Sequence, residues 1–325
     1  PKPQNPMIIY KMISSSKLMH RFAANPMHAQ MMATQSLLPV QQRNFGANEK
    51  ILKIRMKSVN SIRKITKAMK MVAASKMKGD LTRLNDGKHF GHSAVDMIFK
   101  TDSYLQRKQP ETPQDPSELL VPITSDKGLC GGINSGIARE VRAYVGERNR
   151  AKLSIFSIGD KGAVAFTRPM ADILKVGVSA ISTPYNYPTV MALSENIVQQ
   201  SDSADKIVVF YNEFVSAIST IIRRMELLPR GRFLDTMKYG KLYNMTLPDK
   251  NTANPALYEL YVTSNLWVAF LNNAASEQSA RMNAMENASK NAKEILEKLT
   301  LQYNKARQAR ITMELVEIIS GASAL

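Results

Sequence analysis

The chain has 325 residues, with 44 lysines and arginines against 27 aspartates and glutamates, a formal net charge of +17 and one cysteine. A single cysteine excludes an internal disulfide framework and any zinc site built on several cysteines. No apolar run approaches the length of about 18 residues that spans a bilayer. The excess of positive charge predicts acidic partners, which could be nucleic acid, anionic lipid or acidic protein surfaces.

The positive charge is concentrated towards the amino terminus. Residues 1–48 contain five basic residues and no acidic one, and residues 49–79 contain ten basic residues and one acidic one. The first segment is also rich in methionine and serine, which is the composition of a mitochondrial targeting sequence. We therefore expect residues 1–48 to be a basic, targeting-like extension, either removed on import or, as we favour, retained.

Residues 49–105 predict a long helix with one apolar stripe. The apolar residues recur mostly at steps of three and four, and no proline or glycine interrupts them before Gly79. Three prolines then mark residues 106–118 as a linker. The stripe comprises Ile51, Ile54, Val59, Ile62, Ile65, Met69, Val72 and Met77.

The pattern changes after the linker, and residues 119–228 predict a small parallel α/β domain of Rossmann-like type. Short apolar runs indicate buried strands, and helical patterns separate them. Residues 229–254 contain two glycines and two prolines and are interpreted as a loop region. The strands are expected at 119–124, 153–158, 206–210 and, less clearly, 176–182; the helices are expected at 134–148, 160–168 and 189–200.

Residues 255–325 predict a second long helix, because no proline or glycine occurs between Pro255 and Ser320. A seven-residue ladder of apolar residues along it is typical of a coiled-coil seam. The natural partner is the helix at 49–105, paired antiparallel, with the α/β domain inserted between the two. The ladder comprises Met285, Ala292, Leu299, Ala306 and Met313.

The loop at residues 125–135 lies where phosphate-binding loops are found, between a strand and a helix. Its glycines, Gly128, Gly131 and Gly132, fit neither the dinucleotide fingerprint nor the P-loop. Cys130 has no histidine near it in sequence, and His89 and His92 have no carboxylate or cysteine cluster beside them. We therefore predict no catalytic, cofactor-binding or metal-binding residues, although a nucleotide-binding enzyme with helical arms stays an alternative.

The basic helix at 50–79 allows three interpretations. Nucleic-acid binding normally adds aromatic stacking or base-reading amides to the lysines, and this segment has no aromatic residue. The charge could instead be a solvated helix face, or the surface of a basic rod that turns inside an acidic protein collar. Spacing alone does not choose among them.

Several stretches resemble the gamma subunits of rotary F-type ATP synthases. Residues 65–77 (ITKAMKMVAASKM) are similar to the amino-terminal helix of that family, and residues 276–290 and 311–324 are similar to its carboxyl-terminal helix. The loop at 125–135 matches as well. The resemblance covers residues 49–325 in order, and the mitochondrial form fits best.

The resemblance implies a central-stalk rotor that couples proton-driven rotation of a c-ring to conformational change in a hexamer of alpha and beta subunits. Such a subunit is non-catalytic. It is peripheral to the mitochondrial inner membrane on the matrix side, contacts delta/epsilon-type subunits and the c-ring, and binds no nucleic acid. A basic coiled-coil module that binds nucleic acid or lipid is the alternative.

The resemblance also assigns residues that contact the beta subunits. Met69 matches a position near an acidic loop of beta, and Arg281 matches an ionic contact. Gln308 and Thr312 match polar contacts, and Arg307 and Glu314 are weaker matches. The small apolar end of the chain, with Ile318, Ile319 and Leu325, matches a low-friction bearing.

Overall fold

A computed structural model describes the backbone of residues 38–88, 116–237 and 250–324, and most of their side chains. The elements divide between two units, one formed by residues 58–296 and the other by residues 1–57 with 297–325. None of the described helices is long and apolar enough to cross a membrane. The helices are α1 (Leu38–Lys88), α2 (Ile133–Gly146), α3 (Asp160–Thr167), α4 (Tyr187–Gln200), α5 (Arg230–Met237) and α6 (Lys250–Ser323).

The larger unit contains a five-stranded sheet in the order β3-β2-β1-β4-β5. The first four strands are parallel, and their order is that of the first four strands of a doubly wound dinucleotide-binding sheet. The α/β fold and the Rossmann-like domain predicted from the sequence are confirmed. The strands are β1 (Glu118–Pro122), β2 (Leu153–Ile158), β3 (Leu174–Val178), β4 (Lys206–Phe214) and β5 (Thr220–Leu227).

Helices cover both faces of the sheet, because alternate residues of each strand point to opposite sides. Leu119 and Val121 of β1 face a core completed by α4, α5 and the first part of α6. Leu120, between them, faces a second core completed by α2 and α3. All three leucine and valine side chains are at most 1% exposed.

The prediction of a purely parallel domain was wrong at one edge. β5 pairs antiparallel with β4, from Phe214 opposite Thr220 to Ile207 opposite Leu227. Residues 229–254 also differ from the predicted loop, because α5 and the start of α6 lie there. Phe233 anchors α5: it is 1% exposed and contacts the rings of Tyr258 and Tyr261.

The two long helices run antiparallel within the larger unit. Lys70 of α1 pairs with Glu286 of α6 at 3.1 Å, and further along α1 Leu84 packs against Leu271. α1 lies close to α6 at Gly87, where a Cβ atom would lie 2.2 Å from Cδ1 of Leu271. A larger residue there would displace the Leu271 side chain. In the smaller unit, Glu49 and Arg310 join the same helices at 2.9 Å.

The predicted and observed bounds of the long helices differ. α1 begins at Leu38, ten residues before the boundary expected at residue 48, and is described as far as Lys88. The rest of the predicted helix, with His89 and His92, lies outside the described residues. α6 begins at Lys250, five residues before Pro255, which lies inside it.

Candidate functional site

The carboxyl ends of the parallel strands form the place where a doubly wound sheet normally binds its ligand. The usual crevice lies where the strand order reverses, which in this sheet is beside β1 and β4. Here α6 occupies it. Ala284 lies 3.9 Å from the Cβ position of Gly131, and Asn273 of α6 accepts a 2.9 Å hydrogen bond from Asn212 of β4. A helix of the same chain thus takes the position of a nucleotide.

The polar groups of the loop after β1 bind one another rather than facing an open cleft. The Asn134 side chain accepts from the Ser125 amide at 3.1 Å and donates to the Ser125 hydroxyl at 2.7 Å and to Cys130 Sγ at 3.2 Å. Cys130 is 2% exposed. The loop is accordingly a structural turn, and its single thiol is a packed core group.

Asp126 ties this loop to two others at the same end of the sheet. Its carboxylate accepts from the amide of Asp160 at 2.9 Å and from the amide of Ile181 at 3.0 Å. Asp160 begins α3 after β2, and Ile181 follows β3. Three loops are therefore fixed around the side of α6 that carries Arg281.

Arg281 and Glu277 form a buried ion pair on α6. Arg281 Nη2 lies 2.6 Å from Glu277 Oε1, and the two side chains are 11% and 8% exposed. The guanidinium also donates to Gln278 Oε1 at 2.9 Å and to the carbonyl oxygen of Gly128 at 3.4 Å. Arg281 therefore joins α6 to the loop after β1.

Burial is the largest influence on the pKa values of two carboxyl groups here, Glu277 of the pair and Asp80. It raises the pKa of Glu277 above its ordinary value of 4.5, although Arg281 opposes the change. Burial likewise raises the pKa of Asp80 on α1, opposed by Arg83 and Lys76. The charge of Asp80 also raises the pKa of Glu277, as a smaller contribution than burial.

A groove of about 570 Å³ opens beside the ion pair, between α1, α6 and the loops after β1 and β3. Its rim is apolar and exposed, with Ile65, Val72 and Leu129 each more than half accessible. Met69 is half-buried in its wall. The structure thus brings together two residues that the sequence resemblance assigned separately, Met69 and Arg281.

The remaining predicted contacts belong to the smaller unit and are carried by the last turns of α6. Arg307, Gln308, Thr312 and Glu314 are all exposed. The Thr312 hydroxyl donates to the Gln308 carbonyl at 2.9 Å, a bond within the helix. The predicted bearing residues Ile318 and Ile319 are 72% and 55% exposed, and Leu325 lies outside the described residues.

Sequence reasoning missed Glu277, Asp80 and Asp126 as neighbours of Arg281. One local signal was available, since Glu277 and Arg281 have the i, i+4 spacing that pairs charges on a helix. Nothing local shows that this face is buried. Across the described ranges, no group of three or more His, Cys, Asp or Glu residues is arranged to hold a metal ion.

The basic face of α1 is open to solvent in the structure. Eight lysines and arginines between residues 50 and 79 are exposed, and aromatic side chains are absent from this segment. The face is therefore suited to electrostatic contact with an acidic surface rather than to base stacking. The eight residues are Lys50, Lys53, Arg55, Lys57, Lys64, Lys67, Lys76 and Lys78.

Comparison with known proteins gives a consistent result over nearly the whole chain. A family model described as ATP synthase matches residues 48–325. The mitochondrial F(1) complex gamma subunit of Dictyostelium discoideum is 33% identical over 88% of this chain and 94% of its own length. The mitochondrial gamma subunit of Drosophila melanogaster is 35% identical over 91% of this chain and 99% of its own.

Solved structures agree with these relatives. A chain of the Tetrahymena thermophila mitochondrial ATP synthase, from the central stalk and c-ring, is 43% identical, with a TM-score of 0.64 over 69% of this chain and 99% of that one. A chain of the Euglena gracilis mitochondrial ATP synthase has a TM-score of 0.70 at 21% identity, over 86% of this chain and 95% of that one. At this lower identity, the similarity to the Euglena chain supports the fold alone.

Proposed function

Because the chain belongs to the family of ATP synthase gamma subunits, we propose that it is the central-stalk rotor of a mitochondrial ATP synthase. It is a non-catalytic subunit of that complex. Its role is to couple rotation of a proton-driven c-ring to conformational change in a hexamer of alpha and beta subunits. The 43% identity to a central-stalk chain supports this assignment.

The observation that carries the proposal is the position of α6. This one helix completes the core of the sheet with Tyr258 and Phe270 and occupies the crevice beside β1 and β4. Rotation imposed on the α/β domain is thereby imposed on α6. A rotor acts by differential contact: each beta subunit meets a different face of it and is shifted towards a different conformation.

The contacts with beta are assigned to two surfaces. The first is the groove beside the Arg281–Glu277 pair, where Met69 lies in the wall and Leu129 contributes to an apolar rim next to basic residues of α1. The second is the exposed end of α6, with Gln308 and Thr312 as principal contacts, Arg307 and Glu314 as weaker ones, and Ile318, Ile319 and Leu325 as the bearing. Attraction between the basic face and acidic loops weakens as salt is added.

The proposed domain division follows the same scheme. Residues 1–48 form the basic extension, 49–105 and 255–325 the paired helices, 106–118 a linker and 119–228 the foot domain. Residues 229–254, proposed from the sequence as a loop region, contain α5 and the first residues of α6. We place the subunit at the matrix side of the inner membrane, with delta/epsilon-type subunits and the c-ring at the foot. The alternative of a basic nucleic-acid or lipid-binding module gains no support from the comparisons.

The function is tested by affinity purification of the tagged chain from mitochondria, with identification of the copurifying subunits and an ATPase assay. We expect stoichiometric alpha, beta and c-ring subunits and ATPase activity in the purified complex. Recovery of the chain alone, or with nucleic acid, would contradict the proposal.

The polar contacts at the end of α6 make a separate prediction. Replacing Gln308 and Thr312 together by alanine should lower ATPase turnover of the assembled complex about fivefold, because two polar contacts worth about 0.5 kcal/mol each are lost during rotation. Both side chains are exposed, so folding should be unaffected. Gln302→Ala, at another exposed position on α6, is the matched control. Equal turnover in the double variant and the control would remove these residues from the contact.

A further inference from the structure

A polar face of α6 lies against the hairpin that joins β4 to β5. Asn272, Ser276, Ser279 and Asn283 are separated by four, three and four residues, which places them on one side of the helix. With Asn273 they form what we call the polar seam. All but Asn283 are at most 3% exposed.

Three members of the polar seam donate to backbone carbonyls of the hairpin. The Ser276 hydroxyl donates to the Asn212 carbonyl at 3.1 Å. The Ser279 hydroxyl and the Asn283 amide both donate to the Ala217 carbonyl, each at 2.7 Å. One carbonyl oxygen at the tip of the hairpin is therefore held by two side chains one turn apart on α6.

The other two members accept hydrogen bonds from β4. Asn273 Oδ1 accepts from the side-chain amide of Asn212 at 2.9 Å. Asn272 Oδ1 accepts from the backbone amide of Phe214 at 3.4 Å. Five hydrogen bonds thus run between α6 and one hairpin, and they involve every member of the polar seam.

These bonds give the junction a property that apolar packing lacks. Burial of apolar surface is non-directional, so two apolar faces can slide a short distance at small cost. A buried hydrogen-bond network is directional, and a shift along or around the helix leaves several buried groups unpaired at once. The polar seam therefore resists both sliding and rotation of α6 against the sheet.

Building on the proposed function, we propose that the polar seam is the joint that passes torque from the α/β domain to α6. Nearer its amino end, α6 contacts the sheet through Tyr258, Leu266 and Phe270, which are apolar or aromatic. The polar seam comes directly after this stretch, where α6 leaves the first core and passes the hairpin. Its residues act by positioning: they touch no nucleotide and set the angular stiffness between two parts of one chain.

The test measures angular stiffness in the assembled complex. A complex with alpha and beta subunits is fixed through the hexamer, arrested with nucleotide, and labelled with a bead on the α/β domain through Val164→Cys. Val164 is 65% exposed and native Cys130 is 2% exposed, so labelling is selective. The variance of the bead angle reports stiffness directly, because softer coupling allows wider thermal fluctuation. Rotation of the unmodified complex on ATP tests the proposed function separately.

Replacing Ser276, Ser279 and Asn283 together by alanine should widen the angular variance about twofold while ATPase turnover of the fixed hexamer is retained. Asn265→Ala is the matched control, since its amide donates to the Tyr261 carbonyl within α6, at 2.8 Å, and not to the hairpin, so the variance should not change. If the triple variant fails to assemble, Asn283→Ala alone decides, with a smaller increase expected. Unchanged variance in a rotating variant complex would overturn the proposal and leave the rotor function intact.

Discussion

Replacing Arg281 by glutamine should lower the free energy of unfolding by about 3 kcal/mol at pH 7. The substitution leaves the Glu277 carboxylate buried without its ion-pair partner, and removing one member of such a pair is strongly destabilising. The loss of stability has an upper limit, because the Glu277 carboxyl can be protonated instead of staying charged. Protonation of a group with a pKa of 4.5 costs about 1.4 kcal/mol for each unit by which the pH exceeds that pKa.

The same reasoning fixes the pH dependence. The folded state holds the proton of Glu277 more tightly than the unfolded chain does, since its pKa is raised above 4.5. Stability from this group is therefore full below about pH 4.5 and falls as the pH rises through the higher folded-state pKa. Arg281→Gln should raise that pKa further, so its cost should be clearly smaller at pH 5 than at pH 7.

Urea unfolding followed by circular dichroism at the two pH values measures this prediction. Lys290→Gln is the matched control, because Lys290 also pairs with a glutamate four residues earlier, at 3.6 Å, but is 68% exposed. Its cost should stay below about 0.5 kcal/mol. The double variant Glu277→Gln with Arg281→Gln should recover most of the loss. If Arg281→Gln lowered the free energy of unfolding equally at pH 5 and pH 7, the loss would not come from the unpaired charge of Glu277.

Replacing Gly159 by alanine should destabilise the α/β domain by about 3 kcal/mol or more. Gly159 has a backbone φ of +95°, a conformation that residues with a side chain rarely adopt. A Cβ atom there would lie 2.2 Å from the carbonyl oxygen of Thr124. The obstacle is backbone at the end of β1, so it cannot move aside as a flexible side chain could.

The same unfolding measurement serves for this glycine, with Gly79→Ala as control. Gly79 lies inside α1, and among the described residues beyond its own helical turn none has a heavy atom within 4 Å of its Cβ position. Alanine there should stabilise the chain by about 0.5–1 kcal/mol through its higher helix propensity. If Gly159→Ala unfolded at the same urea concentration as the unmodified chain, the close approach of the two strand ends would be refuted.

The sequence predicted strands correctly where the residues of a strand are buried on both of its faces. The runs that became β1, β2 and β4 are mostly apolar and mostly buried, as expected for strands covered on both faces. β5 was missed because it is an edge strand with incomplete cover: Ile221, Arg223 and Arg224 are exposed, and its apolar residues do not alternate cleanly. α5 was missed because one aromatic residue, Phe233, supplies most of its anchoring.

The candidate site was harder to predict, and the reason lies in α6. Asparagine and serine on a helix usually indicate a solvent-facing side, yet Asn272, Asn273 and Ser276 are buried because the hairpin supplies their partners. Arg281 was identified through resemblance alone, as an outward ionic contact. Its burial depends on the loop after β1, more than a hundred residues away in sequence, and no local pattern reports such a neighbour.

The position of α6 also governs when the protein can fold. One face of the sheet completes its core only with Tyr258, Leu266 and Phe270, and Leu84 of α1 is covered by Leu271. A chain still being synthesised, or threaded through a membrane from its amino end, therefore exposes these apolar faces until residues 258–271 of α6 have emerged. Contacts between such distant segments also slow folding. We therefore expect a newly made chain to need protection from aggregation until α6 has been completed.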